Sequence, residues 1–169
     1  MQKRMNKLIQ ERIHDPYYED KKYPEGTVCP RCGAICEEGR WVWPEDKSKK
    51  SNSEEEILCP ACKRIRDKYP AGIVSLSGSY LWSHKEEILN LVNNIIEEER
   101  KRSPLKRLIN IEERDGAIVL SFTNDKLARR VGESIYRAHK GEIDIKYPEE
   151  EKFVSVFWHR DEESKEEIT

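Results

Sequence analysis

Several features that define large classes of protein are missing from this chain of 169 residues. It has no run of about 18 apolar residues, so it predicts no transmembrane helix and no membrane partner. Its first residues, Met1 to Lys7, contain no apolar core of the signal-peptide type, which predicts a cytoplasmic protein. Its net charge is −2, from 31 Lys and Arg against 33 Asp and Glu, which excludes a histone-like polycation. That total still leaves room for a local basic face.

Motifs that bind nucleotides or support nucleophilic catalysis are missing as well. The chain has no Gly-x-x-x-x-Gly-Lys-Ser/Thr loop, no Gly-x-Gly-x-x-Gly and no Gly-x-Ser-x-Gly. The four histidines, at positions 14, 84, 139 and 159, show no metal-ligand spacing with one another. His14 beside Asp15 precedes Pro16, a context that indicates a turn with a solvated histidine. The sequence therefore predicts a protein that is not an enzyme.

The cysteines are the most informative residues that are present. Cys29 and Cys32 form one Cys-x-x-Cys pair, and Cys59 and Cys62 form a second. Two such pairs can supply the four thiolates of a tetrahedral site, which Zn²⁺ prefers when its role is structural. The sequence therefore predicts one structural zinc ion per chain, with a redox dithiol or an iron centre as alternatives.

The fifth cysteine, Cys36, leaves an odd number, which argues against a disulfide framework in a chain without a signal peptide. Either it is an idle buried thiol or it competes with Cys32 for the metal. Because four thiolates leave no open coordination position, the site is predicted to be structural rather than catalytic.

Composition divides the chain into four parts. Residues 1–24 form a polar N-terminal segment. Residues 25–70 are predicted to be a zinc ribbon, with both cysteine pairs on hairpins and a flexible loop over 45–56, which contains no apolar residue. Residues 71–159 are predicted to form an α/β module, and 160–169 an acidic tail.

The α/β module shows an order of strands and helices that predicts a ferredoxin-like sheet. Strands are predicted over 72–81, 105–114, 117–122, 143–147 and 153–158, with helices after a capping box at Ser83 and after Asn124. The order βαββαβ plus one extra strand matches a split βαβ arrangement with two helices on one face. The predicted fold class is therefore α+β, a zinc ribbon followed by a ferredoxin-like module. Alternatively, the first of these strands extends the ribbon.

The second predicted helix has one apolar and one basic side. Its predicted buried side consists of Leu127, Val131, Ile135 and Ala138. The opposite side carries five cations, namely Lys126, Arg129, Arg130, Arg137 and Lys140. Such a face either contacts phosphates, for which the guanidinium geometry of arginine is suited, or is a solvated face held by ion pairs.

Two further groups of residues near the metal site are candidates for nucleic-acid contact. Lys63, Arg64 and Arg66 follow the second cysteine pair as a predicted basic turn. Trp41 and Trp43 lie two residues apart on a predicted strand and so share a face. They either cover the core of the ribbon or form a platform on which bases stack.

These motifs together resemble those of a known family. The segments are Cys29-Pro-x-Cys32-Gly33-Ala34, Gly39-Arg40-Trp41-x-Trp43, Cys59-Pro-Ala-Cys62-x-Arg64-Ile65-Arg66-Asp67-x-Tyr69-Pro70-Ala71-Gly72 and Leu127-Ala128-Arg129-Arg130-x-Gly132-Glu133. They resemble a family of short, uncharacterised prokaryotic zinc-ribbon proteins. More distantly, the chain is similar to the archaeal and eukaryotic large-ribosomal-subunit export adaptors, whose members bind that subunit. The resemblance implies the four metal cysteines and no activity.

Two hypotheses of function follow. The first is a zinc-binding protein that binds RNA or the ribosome through the basic helix face and the ribbon. The second is a protein–protein adaptor that uses the ribbon or an exposed face of the sheet.

Overall fold

A computed structural model describes residues 23–44, 57–148 and 152–163. His14 and the predicted loop over 45–56 lie outside these ranges, as do most of the predicted N-terminal segment and most of the predicted tail. Within them the chain has helices, a two-stranded antiparallel sheet and a mixed five-stranded sheet. The predicted α+β class is therefore confirmed.

The first module consists of a hairpin and a helix. Strands β1 (Ile35–Glu37) and β2 (Arg40–Val42) pair antiparallel. They are joined by Glu38 and Gly39, both with positive φ, as in a two-residue hairpin turn. The chain then reaches helix α1 (Pro60–Asp67).

The second cysteine pair therefore opens a helix, whereas the sequence had predicted a second hairpin followed by a basic turn. The local chemistry explains the helix. Cys59 has the extended backbone of an N-cap, and its sulfur accepts a hydrogen bond from the Cys62 amide at 3.4 Å. Pro60 occupies the first helical position, where its missing N–H costs nothing and its φ is already suitable.

The second module contains the remaining elements. They are β3 (Gly72–Ser77), α2 (Ser79–Ser83), α3 (Lys85–Arg102), β4 (Leu108–Arg114), β5 (Ala117–Phe122), α4 (Asp125–His139), β6 (Glu142–Lys146) and β7 (Val154–His159). The strand order across the sheet is β4-β5-β3-β7-β6. The first predicted strand thus lies at the centre of this sheet and does not extend the ribbon.

The topology contains the predicted split βαβ unit and places the extra strand. Strand β5 lies between β3 and β4 and is antiparallel to both. Helix α4 leads to the edge strand β6, and β7 returns beside β3, parallel to it and antiparallel to β6. The sheet is therefore mixed, whereas a ferredoxin-like sheet built from four strands alone is antiparallel throughout.

The end of β3 differs from the sequence prediction. The predicted strand over 72–81 ends at Ser77, and a short additional helix begins at Ser79, ahead of the helix predicted after Ser83, which is present as α3 with His84 rather than Ser83 as its N-cap. Gly78 makes this turn with φ +103°, and a Cβ there would lie 2.0 Å from the Arg160 carbonyl oxygen. Only glycine permits the two backbone segments to approach so closely.

One face of the sheet is covered by helices α3 and α4. The alternating residues Val74 and Leu76 are fully buried there, and Trp158 on β7 is 1 % exposed. Leu127, Val131 and Ile135 complete this core as predicted. Ala138 is exposed instead, because the last turn of α4 extends past the core, which includes no residue of that helix beyond Ile135. Among the described helices, none has the length and apolar content needed to cross a membrane.

Candidate metal centre

The four paired cysteines come together in one cluster. The sulfur atoms of Cys29, Cys32, Cys59 and Cys62 all lie within 4.8 Å of one another, and the sulfurs of Cys32 and Cys59 are 3.8 Å apart. Zinc–sulfur bonds of about 2.3 Å in a tetrahedron place the sulfurs about 3.8 Å apart. The cluster can therefore hold a metal ion.

Local backbone geometry positions the first pair. Gly33 has φ +82°, and its amide donates to the Cys29 carbonyl at 2.9 Å. The Cys29 amide in turn donates to the Ala34 carbonyl at 2.8 Å. This tight knuckle presents Cys29 and Cys32 to the first turn of α1, where Cys59 and Cys62 lie. Three of the four cysteines are completely buried, and Cys32 is partly exposed.

An arginine from the second module also contacts the cluster. The Nη2 atom of Arg107, between α3 and β4, donates to the sulfur of Cys59 at 3.2 Å and to that of Cys62 at 3.1 Å. Four thiolates around a divalent cation carry a net charge of −2, which a guanidinium partly compensates. In the sequence Arg107 belongs to a basic patch around Pro104, but its contact with the cysteines was not predicted, because it lies 45 residues beyond Cys62.

Burial and mutual contact shift the pKa values of the clustered cysteines in opposite directions. The hydrogen bond with Cys59 lowers the pKa of Cys32 to about 5, and the same bond together with burial raises the pKa of Cys59. Burial also raises the pKa of Cys62, although hydrogen bonding from Arg107 opposes this. Burial lowers the pKa of Arg107, but its contacts with the cysteine sulfurs raise it more, so the guanidinium stays charged.

The first module packs on the second through this region. The indole Nε1 of Trp43 donates to the Arg100 carbonyl at the end of α3, at 2.5 Å. The Arg107 amide donates to the Thr123 hydroxyl at 2.8 Å, and that hydroxyl donates to the Leu105 carbonyl at 2.7 Å. Leu105 packs against the hydrophobic cluster that surrounds the cysteines. The connection between α3 and β4 therefore supports the metal centre.

The two tryptophans do not share one exposed face. Trp41 is 8 % exposed, and its ring meets that of Tyr23 edge to face at 5.2 Å. Trp43 is partly buried, with the Arg100 guanidinium 5.7 Å from its ring centre. Because Trp41 is buried, it cannot belong to the predicted base-stacking platform. Its burial agrees with the alternative prediction, in which the ring covers the core of the ribbon.

Cys36 does not belong to the cluster of metal-binding groups found among the described residues. It is 1 % exposed and lies opposite Trp41 in the β1–β2 ladder. Burial raises the pKa of its thiol. This placement corresponds to the idle buried thiol rather than to a competing ligand.

The three basic residues of α1 that were candidates for nucleic-acid contact differ in their exposure to solvent. Arg64 is 4 % exposed, and its Nη1 donates to the Tyr69 carbonyl at 3.1 Å, so it cannot lie on the predicted contact surface. Arg66 is exposed and donates to the Asp67 carboxylate at 2.8 Å. Lys63 is partly buried beside the ring of Tyr23. The helical geometry of α1 turns Arg64 inward, which a basic turn would not have done.

The basic side of α4 contains paired and unpaired cations. Arg130 forms ion pairs with Glu98, at 3.1 Å, and with Glu99, both on α3. Arg129 pairs with Glu133 one turn along the same helix, at 2.6 Å. The remaining three are exposed and form no ion pair with a described residue, namely Lys126, Arg137 and Lys140.

Two histidines take part in hydrogen bonds that the sequence did not suggest. The Ser77 hydroxyl lies 2.8 Å from Nδ1 of His159, and Nε2 of His159 lies 2.8 Å from the Asp161 carboxylate. That carboxylate also accepts from the Ser79 amide at 3.0 Å. These bonds hold the start of the predicted acidic tail against α2. Elsewhere, Nδ1 of His139 lies 2.9 Å from the Tyr80 hydroxyl.

Comparisons of the chain with protein-family models, with curated proteins and with solved structures found no match. The function is therefore inferred from the cysteine cluster and from the surfaces described above.

Replacement of Arg107 by methionine should weaken metal binding. The change removes the charge that lies against Cys59 and Cys62 while keeping an unbranched apolar chain. Loss of a group that contacts metal ligands costs about 10- to 100-fold in affinity. We expect faster release of zinc to a chromogenic chelator, with Arg102→Met, an exposed arginine on α3, as the control. Equal release rates for both variants would contradict a role for Arg107 at the centre.

Replacement of Glu99 by glutamine should destabilise the protein in a pH-dependent way. Glu99 is 7 % exposed, and although burial raises its pKa, hydrogen bonds from Lys106 and Arg130 hold that pKa below the usual value of 4.5. The carboxylate therefore stabilises the fold above the unfolded pKa, and this contribution disappears as the pH falls through the folded pKa.

We expect a loss of about 1.5–3 kcal/mol in the free energy of unfolding at pH 7, the value for a hydrogen bond to a charged group. The loss should become smaller when the pH falls below 4.5, the usual pKa of a glutamate. Urea titrations at several pH values measure it, with the exposed Glu97→Gln as control. A loss that is independent of pH would contradict the ionic explanation.

Proposed function

We propose that the metal is zinc and that its role is structural. A set of four cysteines is the donor set that Zn²⁺ favours in structural sites. The burial of Cys29, Cys59 and Cys62 supports a closed site without room for a substrate. When bound, zinc supplies a cross-link between the knuckle and helix α1, and Arg107 extends that connection to the second module.

We further propose that the protein binds RNA, free or in the ribosome, without catalysing a reaction. The observation that carries this proposal is a set of three exposed cations that form no ion pair with a described residue, two on α4 and Lys140 directly after it. A cation whose charge is already satisfied by Glu98 or Glu99, as in Arg130, has less to gain from a phosphate. Lys126, Arg137 and Lys140 are free to exchange solvent counterions for phosphates, which is the main source of affinity in such complexes.

The first module contributes less to this surface than the sequence predicted. With Arg64 and Trp41 buried, the exposed Arg66 and the partly exposed Lys63 and Trp43 are the candidates that remain there. The proposed contact surface is therefore centred on α4, and the resemblance to adaptors of the large ribosomal subunit supports a ribosomal RNA as the ligand.

A second candidate function is protein binding at the face of the sheet that the helices leave uncovered. Ser75 lies there between Val119 and Phe157 on the neighbouring strands. Phe157 is 46 % exposed, and a cavity of about 420 Å³ lies beside it. Small residues at the centre of an open sheet with one exposed aromatic ring favour the docking of a protein segment.

Zinc content and its link to folding test the first proposal. Elemental analysis of the purified protein should give about one zinc per chain. Cys59→Ser should lower that content and unfold the first module, because zinc binding and the folding of such modules are coupled. Cys36→Ser is the matched control and should retain the metal. Iron in place of zinc, or full metal retention by Cys59→Ser, would contradict the proposal.

Charge reversal on α4 tests RNA binding. Arg137→Glu combined with Lys140→Glu should weaken binding of ribosomal RNA, measured by filter binding or by co-sedimentation with ribosomal subunits. Each lost phosphate contact should also reduce the slope of log affinity against log salt by about 0.7–0.9. The control, Arg114→Glu combined with Lys146→Glu, makes the same change in charge on the strands at the sheet edges.

Equal binding by the two double variants would overturn the assignment of the α4 surface. Binding that survives nuclease and high salt but is lost on Phe157→Asp would support the protein-adaptor function instead.

A further inference from the structure

Two tyrosines lie on the same surface as the unpaired cations of α4. Tyr136 is 40 % exposed and Tyr147 is 53 % exposed. Neither was a candidate from the sequence, because the two residues lie in different elements and neither belongs to a motif. Packing of the core does not explain these exposed rings, because no residue of α4 beyond Ile135 belongs to the core.

Helical geometry places Tyr136 among the cations. It follows Arg129 by seven residues, about two turns, so both side chains leave the helix on nearly the same side, about 10 Å apart along the axis. Lys140 directly follows His139, the last residue of the helix. Among the described residues, the Tyr136 ring makes no hydrogen bond or ring contact, so its exposed face is available.

Tyr147 lies next to Arg129, about two turns of α4 from Tyr136. It follows β6, in which Ile143 and Ile145 pack against the core on the helix side, and alternation along the chain puts Tyr147 on that side too. The contacts agree, because Nη1 of Arg129 donates to the Tyr147 hydroxyl at 2.7 Å, with the guanidinium 5.9 Å from the ring centre. The two rings therefore lie beside the basic row formed by Lys126, Arg129, Arg137 and Lys140, with Lys126 beyond Tyr147 and Lys140 beyond Tyr136. Glu133, which pairs with Arg129, lies between the rings.

We infer that this surface recognises single-stranded nucleic acid, with unpaired bases stacked on Tyr136 and Tyr147 and the backbone following the cations of α4. The inference rests on the proposed RNA-binding function and adds the class of its ligand. A duplex would offer only phosphates to this surface, because its bases are already stacked on one another and cannot reach an aromatic side chain. Stacking on exposed rings beside a basic row is the means by which single strands are bound without a sequence code.

The contributions of the rings and of the cations to binding affinity can be measured separately. Phosphate contacts set the dependence of affinity on salt, whereas stacking adds affinity that depends little on salt. Removal of the rings should therefore lower affinity at every salt concentration and leave the salt slope unchanged. Removal of the cations should lower the slope.

Fluorescence anisotropy with a labelled 12-nucleotide oligouridine, the matching oligothymidine and a 12-base-pair RNA duplex tests the inference on the full-length, zinc-loaded protein. We expect Tyr136→Leu and Tyr147→Leu each to weaken binding of the single strands about tenfold, the effect of losing one stacked base. Tyr136→Phe keeps the ring and should bind as the wild type does. Phe157→Leu, an exposed ring on the open sheet face, is the matched control and should also be neutral.

The outcomes separate the two proposals. Duplex bound as well as single strands, with both tyrosine-to-leucine variants neutral, overturns the inference and leaves RNA binding in place. No binding of any oligonucleotide or of ribosomal RNA overturns the proposed function itself. Loss of binding in Phe157→Leu alone also overturns the inference, because it moves the stacking site to the sheet.

Discussion

The cluster of four sulfurs and the guanidinium that lies against it are the interaction on which the rest of the structure depends. The first module has a small core, built largely around the cysteines with Ala34, Trp41 and Ala61. A core of that size is marginal without a cross-link. A metal ion held by both cysteine pairs would supply that cross-link. The two Arg107 hydrogen bonds connect the cysteine cluster to the second module, which has its own core.

This coupling has a consequence for the proposed binding surface. The α3–β4 connection carries Arg107 and Lys106, and Lys106 pairs with Glu99 at 3.0 Å. Glu99 in turn holds Arg130 of α4. Because Lys106 and Arg107 are neighbours in the chain, their polar contacts link the α3–β4 connection both to the basic helix and to the cysteine cluster. Glu98 and Glu99 pair with Arg130 rather than with Lys126 or Arg137. The fold therefore separates a cation that stabilises helix packing from cations that are exposed to solvent.

Much of the second module could be predicted, because its signals are local. The buried stripe of α4, the Asp115–Gly116 hairpin and the Asn124 cap all depend on residues within a few positions of one another. The position of β7 could not be predicted in this way. Its parallel pairing with β3 is a contact between residues about 80 positions apart, and periodicity carries no information about which strand becomes the neighbour.

By itself the sequence determined the four cysteines that come together as candidate metal ligands, the α+β class and the amphipathic character of α4, since each follows from spacing along the chain. Only the tertiary structure decided which basic residues are exposed and without an ion pair among the described residues, and so could contact a ligand. Arg64 and Arg130 look like their neighbours in the sequence, yet one is buried against Tyr69 and the other is held by two glutamates of α3. It also brought Arg107 to the cysteines and two tyrosines to the basic row. The physical reason is that charge pairing and burial depend on distant parts of the chain, whereas ligand spacing and helical periodicity do not.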